Sequence, residues 1–271
     1  MSATISSSAT LAPTAAVTPG FGHTLRAESI KLFSVRSTWW TLAATFVLGA
    51  GLTTLLAWAN AEWLASPEAD EAVGSFVTWG MMIAQITAVV LGALVVTTEY
   101  GSGMIRTSFA ATPRRGQVLA AKALLVSGLF LVVGTITALV GYVGSDFFFD
   151  REGIGLPLEG DVARATYGSG LYLAGIALFT VAVGFLLRHT AGTISLVLAL
   201  MLVLGNMVML VPGTFGDWLE KLMPGNAGSS ISTVVSFNPN LLDPWTGFAV
   251  FLGETAVLLA LAWAVVRRRD A

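Results

Sequence analysis

The run FVTWGMMIAQITAVVLGALVV (residues 76–96) leads directly into TTEYGSGMIRTSFAATPRRGQVLAAK (residues 97–122). The first stretch has no ionisable side chain and matches the ~20 mainly apolar residues needed to cross ~30 Å of hydrocarbon. It reads as a transmembrane helix. The second differs in kind: it holds Glu99, the cations Arg106, Arg114, Arg115 and Lys122, and the helix breakers Gly101, Gly103, Pro113 and Gly116. Another apolar run begins at its end, so it connects two spans. What its charges do depends on the side of the membrane on which it lies.

The whole chain fits a bilayer better than water. Of its 271 residues 55% are hydrophobic and only 11% charged, with a mean hydropathy of +0.78, against roughly 25% charged in soluble domains. A net charge of −2, with no basic tract before the terminal VVRRRD, argues against nucleic acid as a partner. The absence of cysteine excludes a disulfide framework, a thiolate nucleophile and Cys-ligated metal. Residues 1–22, rich in Ser, Thr, Ala and Pro and free of charged side chains, lack the basic start of a secretory signal and read as a disordered cytoplasmic tail.

Six stretches are long and apolar enough to span: 39–58, 76–96, 118–144, 170–187, 191–211 and 245–266. Their runs are continuous rather than alternating, which argues against a barrel. The fold class is therefore all-α, a single polytopic domain of six transmembrane helices over residues 23–271. Arg188-His189-Thr190 leaves room only for a tight hairpin between the fourth and fifth spans. With both termini in the cytoplasm, Arg26, Lys31, Arg36, Arg106, Arg114, Arg115, Lys122, Arg188, Arg267, Arg268 and Arg269 lie inside. Only Arg151, Arg164 and Lys221 face out, as the positive-inside rule requires. The expected location is the plasma membrane of a bacterial cell.

On the inner face, residues 23–38 mix Leu25, Ile30, Leu32 and Phe33 with Arg26, Glu28, Lys31 and Arg36 before Trp39 and Trp40. This pattern reads as an interfacial amphipathic helix, or as a plain orienting flank. In the 99–117 loop, Glu99 and Tyr100 end the second span and Gly101 and Gly103 break it. Residues 104–111 form about two helical turns with Ile105 and Phe109 on one side, and Pro113 stops them. Arg114, Arg115 and Lys122 anchor the return. The acid, the paired glycines and the proline exceed what orientation needs, so the loop reads as a docking site for a cytoplasmic partner.

The series ESIKLFSVRSTWW, TEYGSGMIRTSFAATPRRGQVLAAK, LLRHTAGTISL, MPGNAG and NLLDPWTGFAVFLGETAVLLALAWAVVRRRD resembles the ABC-2-type membrane subunits of ATP-binding cassette transporters. The likeness runs from about residue 23 to the end, and EYGSGMIRTSFAATPRR is its most specific part. It implies six helices per permease, a dimer of two permease copies in the lipid bilayer, two ATPase subunits that bind the ATP and Mg, and export as the usual direction. It also implies a coupling segment comprising Glu99, Tyr100, Gly103, Ile105, Arg106, Phe109, Pro113 and Arg114, with Glu28, Lys31 and Arg36 on the preceding interfacial helix. The 212–244 loop, with a short helix ending before Pro224, would cap the dimer pathway from outside.

No cofactor motif belongs to this chain. G-x-x-x-x-G-K-[ST] does not occur, so ATP would have to be hydrolysed elsewhere. H-E-x-x-H and G-x-S-x-G are absent too, and His23 and His189 sit in flanks rather than in ligand sets. The one carboxylate inside a span is Glu254, and a charge at that depth usually marks function or faces water. Gln85 and Asn206 read as hydrogen-bond donors between helices. Two other classes remain at this stage: a proton-coupled secondary transporter using Glu254, and an intramembrane enzyme, for which Glu254 alone supplies too few converging groups.

Overall fold

The computed structural model describes residues 20–112, 114–236 and 241–268, and their regular structure is helical with no strand. Most of the expected 1–22 tail lies outside the described residues, as do Pro113, Arg269 and positions 237–240 of the 212–244 loop. Gly20 is extended and Phe21 already opens a helix, α1 (Phe21–Ser34).

Helix α1 buries Thr24, Glu28 and Leu32, which lie four residues apart on one face. Ile30 and Phe33 point outward. The charged Glu28 faces the protein while the apolar Ile30 and Phe33 face away, the arrangement suited to a helix bordered by lipid. Val35, extended with ψ 127, ends α1. Helix α1 is therefore shorter than the expected interfacial helix 23–38, and Arg36 does not belong to it. Arg36 is the first residue of the next helix, because the extended backbone at Val35 restarts the turn one residue earlier.

That helix, α2 (Arg36–Phe46), continues through a π-turn at Val47–Gly51 into α3 (Leu52–Leu64) as the first span. A 3₁₀ turn (Val73–Phe76) and α4 (Trp79–Gly101) form the second, followed by the short α5 (Met104–Ala111). The third span is α6 (Arg115–Arg151), whose 37 residues make a rod of about 55 Å at 1.5 Å per residue, longer than the hydrocarbon is thick. α7 (Gly160–Leu187) is the fourth. α8 (Thr190–Leu198), a π-turn (Ala199–Val203) and α9 (Leu204–Val208) make the fifth. After α10 (Thr214–Lys221), α11 (Pro224–Ser229) and a 3₁₀ turn (Ser230–Ser232), α12 (Pro244–Arg268) is the sixth. All six are long and apolar enough to cross a membrane, and the chain is a multi-pass helical bundle.

The second and fourth spans are the most enclosed, with Val89, Val96, Leu173, Ile176 and Phe185 at the centre; the first, fifth and sixth leave most of their surface open. The first and second spans meet backbone to backbone. A Cβ built on Gly80 would lie 2.1 Å from the Gly49 carbonyl oxygen, so only glycine permits this approach.

Several ends differ from expectation. The fourth span starts at Gly160 rather than 170, because Val162, Ala165, Thr166 and Ser169 are buried against the protein and carry the helix past the apolar run. Between the fourth and fifth spans the turn is tight, as expected. Arg188 adopts a left-handed conformation (φ 56) and the His189 Nδ1 accepts the Gly192 N–H at 3.0 Å, capping α8. An even number of passes returns the chain to its starting face, and Phe21, Arg114, Trp263 and Arg267 accordingly line one cavity there. We call this face, which carries α5, the basic end.

Candidate functional site

Helix α4 runs through Gly101 and stops at Ser102. Gly103 then takes a left-handed conformation (φ +73) that a side chain would strain. Gly103 alone makes the break; Gly101 is still helical. The turn starts α5 at a new angle, with Ile105 and Phe109 buried on one side as their spacing predicts. The Arg115 guanidinium lies 5.5 Å from the Phe109 ring centroid. Met104, Arg106 and Thr107 remain exposed on the opposite side, and Arg114 is exposed just beyond.

Behind α5 lies a cluster of four charges drawn from three helices: Glu28 and Lys31 of α1, Glu99 of α4 and Lys122 of α6. The Lys122 Nζ donates to Val95 O at 3.0 Å and to Glu99 Oε1 at 2.7 Å, and lies 2.6 Å from Glu28 Oε2. The Lys31 Nζ donates to Glu28 Oε1 at 2.7 Å, Ser108 Oγ at 2.9 Å and Glu99 Oε1 at 3.1 Å. An ammonium has three N–H donors, and each of these two finds three acceptors. The charges sum to zero. Side-chain exposure is 2% for Lys122, 4% for Glu99 and 5% for Glu28, so these groups are shielded from water. Through Ser108 the cluster also grips α5, and it therefore joins α1, α4, α5 and α6 at one point.

Lys31 is the least buried member. Burial pulls its ammonium toward neutrality, but the hydrogen bond it donates to Glu28 and the attraction of Glu99 and Glu28 outweigh this and raise its pKa above the usual 10.5.

These positions revise the expected site. Glu28, Lys31 and Glu99, read from sequence as residues that meet a partner, are bound to one another. Tyr100 is half-buried, with the Arg188 guanidinium 4.9 Å from its ring centroid and Phe185 edge-on at 6.2 Å. Ile105 and Phe109 anchor α5 from beneath. Of the expected coupling residues, Gly103 is exposed, and the side chains of Arg106 and Arg114 remain open to a partner. Arg36 is exposed at the start of α2, while Pro113 lies outside the described residues. Lys122 and Ser108 are the members that sequence reasoning missed. A signal existed for Lys122: it is the lone cation in VLAAKALL, within the apolar run.

Glu254 takes no part in this cluster. It sits on α12 ten residues past Pro244, about 15 Å along the helix, half-buried, and its buried Oε2 accepts no hydrogen bond from the protein. Among the described residues no three His, Cys, Asp or Glu side chains converge as a metal site. No protein-family model matches the chain, and no curated protein matches it.

Proposed function

We propose that the chain is the membrane-embedded permease subunit of an ATP-binding cassette transporter, acting as a homodimer in a cell membrane with both termini in the cytoplasm. A separate nucleotide-binding subunit hydrolyses the ATP, and the permease exports a substrate. The observation that carries this reading is the buried four-charge cluster. It ties the exposed short helix α5 to α1 and to the ends of two spans, so a push on α5 displaces α4 and α6 rather than bending a loop. A partner moves such a bundle only by binding one of its conformations better than another. The exposed side chains of Arg106 and Arg114 are the contacts we assign to that partner. The ordered resemblance of the elbow sequence to ABC-2-type permeases supports the same reading.

The test is reconstitution with a P-loop ATPase subunit. The chain alone is expected to hydrolyse no ATP, and co-assembly to produce ATPase activity. Arg106→Glu is expected to abolish co-purification while leaving the unfolding free energy within about 0.5 kcal/mol of wild type, as for other exposed positions. ATP hydrolysis by the lone chain, or normal assembly of the Arg106→Glu protein, would sink the proposal. A second reading rests on Glu254, whose unpartnered oxygen lies near the middle of a span: a proton-coupled carrier. It predicts a pH-driven flux, independent of ATP, that disappears in Glu254→Gln.

A further inference from the structure

At the end of the bundle away from α5, a chamber of about 350 Å3 opens between the second, fourth and fifth spans and the turn at 224–232. This is near the lower limit of small-molecule sites, roughly 300–1,000 Å3. Trp79, Met81 and Met201 supply its apolar wall, with Ser75, Gln85 and Asn206 among its polar groups. Among the described residues none of its lining is Asp, Glu, Lys or Arg.

The polar groups are not equivalent. Gln85 is held on both sides: its Oε1 accepts from the Tyr172 hydroxyl at 2.8 Å and its Nε2 donates to the Met82 carbonyl at 2.7 Å. Thr78, also in the lining, donates to the Ser232 carbonyl at 2.8 Å and closes the wall. Ser75 is only 7% exposed, and its hydroxyl has no hydrogen-bond partner in the protein. A buried hydroxyl left without a partner carries a desolvation penalty that a bonded ligand would relieve. Ions are poor candidates, because a chamber without counter-charge would strip their water and return nothing. The Trp79 ring adds a flat apolar surface of the kind that aromatic side chains present to ligands.

We propose that this chamber binds a compact, uncharged molecule bearing several hydroxyl groups, with Ser75 bonding one of them and Trp79 covering its flat face. The inference concerns binding by this chain alone, so it stands or falls separately from the ATPase-coupled reading. An adjoining cavity of about 490 Å3 shares Asn206 with the chamber and extends to Asp161 and Arg164, giving the ligand a polar approach.

The experiment uses the full chain in lipid nanodiscs, titrated with methyl glucoside, sucrose, glucuronate and glucosamine. Tryptophan fluorescence provides the signal, with Trp79→Phe as the reporter control. Saturable binding of at least one uncharged sugar is expected, with the two charged analogues at least tenfold weaker. Ser75→Ala should weaken binding by about tenfold, the scale of one hydrogen bond, while leaving the unfolding midpoint unchanged or raised, because no bond within the protein is lost. Asn206→Ala, at an exposed position, provides a second variant and should also weaken binding. The proposal is overturned if no uncharged sugar saturates, if the charged analogues bind equally well, if Ser75→Ala and Asn206→Ala both bind like wild type, or if mass spectrometry finds a retained phospholipid that these sugars do not displace.

Discussion

In the cluster behind α5 the buried polar groups are charged and closed on one another; at the opposite end those lining the chamber are neutral, and one of them, the Ser75 hydroxyl, has no partner in the protein. Lys122 and Arg164 show the contrast within single side chains. Lys122 gives its three donors to two carboxylates and one carbonyl. Arg164 instead reaches the carbonyls of Ser230, Ile231 and Thr233 at 3.0 to 3.3 Å, and its Asp161 partner is 74% exposed. Charge against charge, away from water, allows few alternative arrangements and makes a rigid joint. A cation on backbone carbonyls pins one turn while the neighbouring hydroxyls and amides keep capacity for a ligand. The same kind of helical scaffold thus builds a joint at one end and a receptive wall at the other.

Breaking the joint should have the largest effect. Lys122→Met leaves the buried Glu28 and Glu99 with only Lys31 between them, and removing one partner from a buried pair typically costs about 3–5 kcal/mol. Unfolding in detergent should show a loss of that order. The charge-balanced double variant Glu99→Gln/Lys122→Met leaves Glu28 and Lys31 paired at 2.7 Å, and should recover at least half of it. Additive losses would mean that the four charges do not act as one unit. At the other end, Arg164→Ala removes charge-assisted bonds worth about 1.5–3 kcal/mol, read as faster hydrogen exchange in 224–236. Asp161→Asn should cost under about 0.5 kcal/mol, since an exposed ion pair contributes little. If Asp161→Asn matched Arg164→Ala, the carbonyl clamp would not be the anchor.

The two ends also differ in how far sequence reveals them. Hydropathy located all six spans, because lipid contact depends on side-chain polarity and the pattern is strong. It misplaced ends such as that of α7, where the helix continues on protein contacts after lipid contact has ceased. The elbow was legible through Gly103, Ile105 and Phe109, whose spacing states which side is buried. The cluster behind it was not. Glu28, Glu99 and Lys122 lie far apart in the chain, and their convergence depends on how three helices are rotated, which no local pattern records. Residues 224–232 are harder still. Their Gly and Ser content reads as an external loop, yet small size is what lets them pack inward: a Cβ on Gly228 would lie 2.8 Å from the Tyr172 ring and 2.9 Å from that of Phe251.

The smallest expected effect sharpens the contrast through pH. Lys31 faces Glu28, Glu99 and Ser108 on its bonded side, with Lys122 sharing the same carboxylates. Its folded pKa is raised above 10.5, so its contribution is complete below that value and is lost only as pH climbs through the raised one. Stability attributable to Lys31 should therefore be flat from neutral pH to about 10 and decline above it. Hydrogen exchange in α1 should accelerate in that range, and Lys31→Met should remove the pH-dependent part. Because Lys31 is 34% exposed, solvent screening keeps the change modest. Arginine does not deprotonate in proteins, so the Arg164 clamp should hold through the same range. If 224–236 opened at the same pH as α1, or α1 opened before pH 10, the division between a titratable joint and a non-titratable clamp would fail.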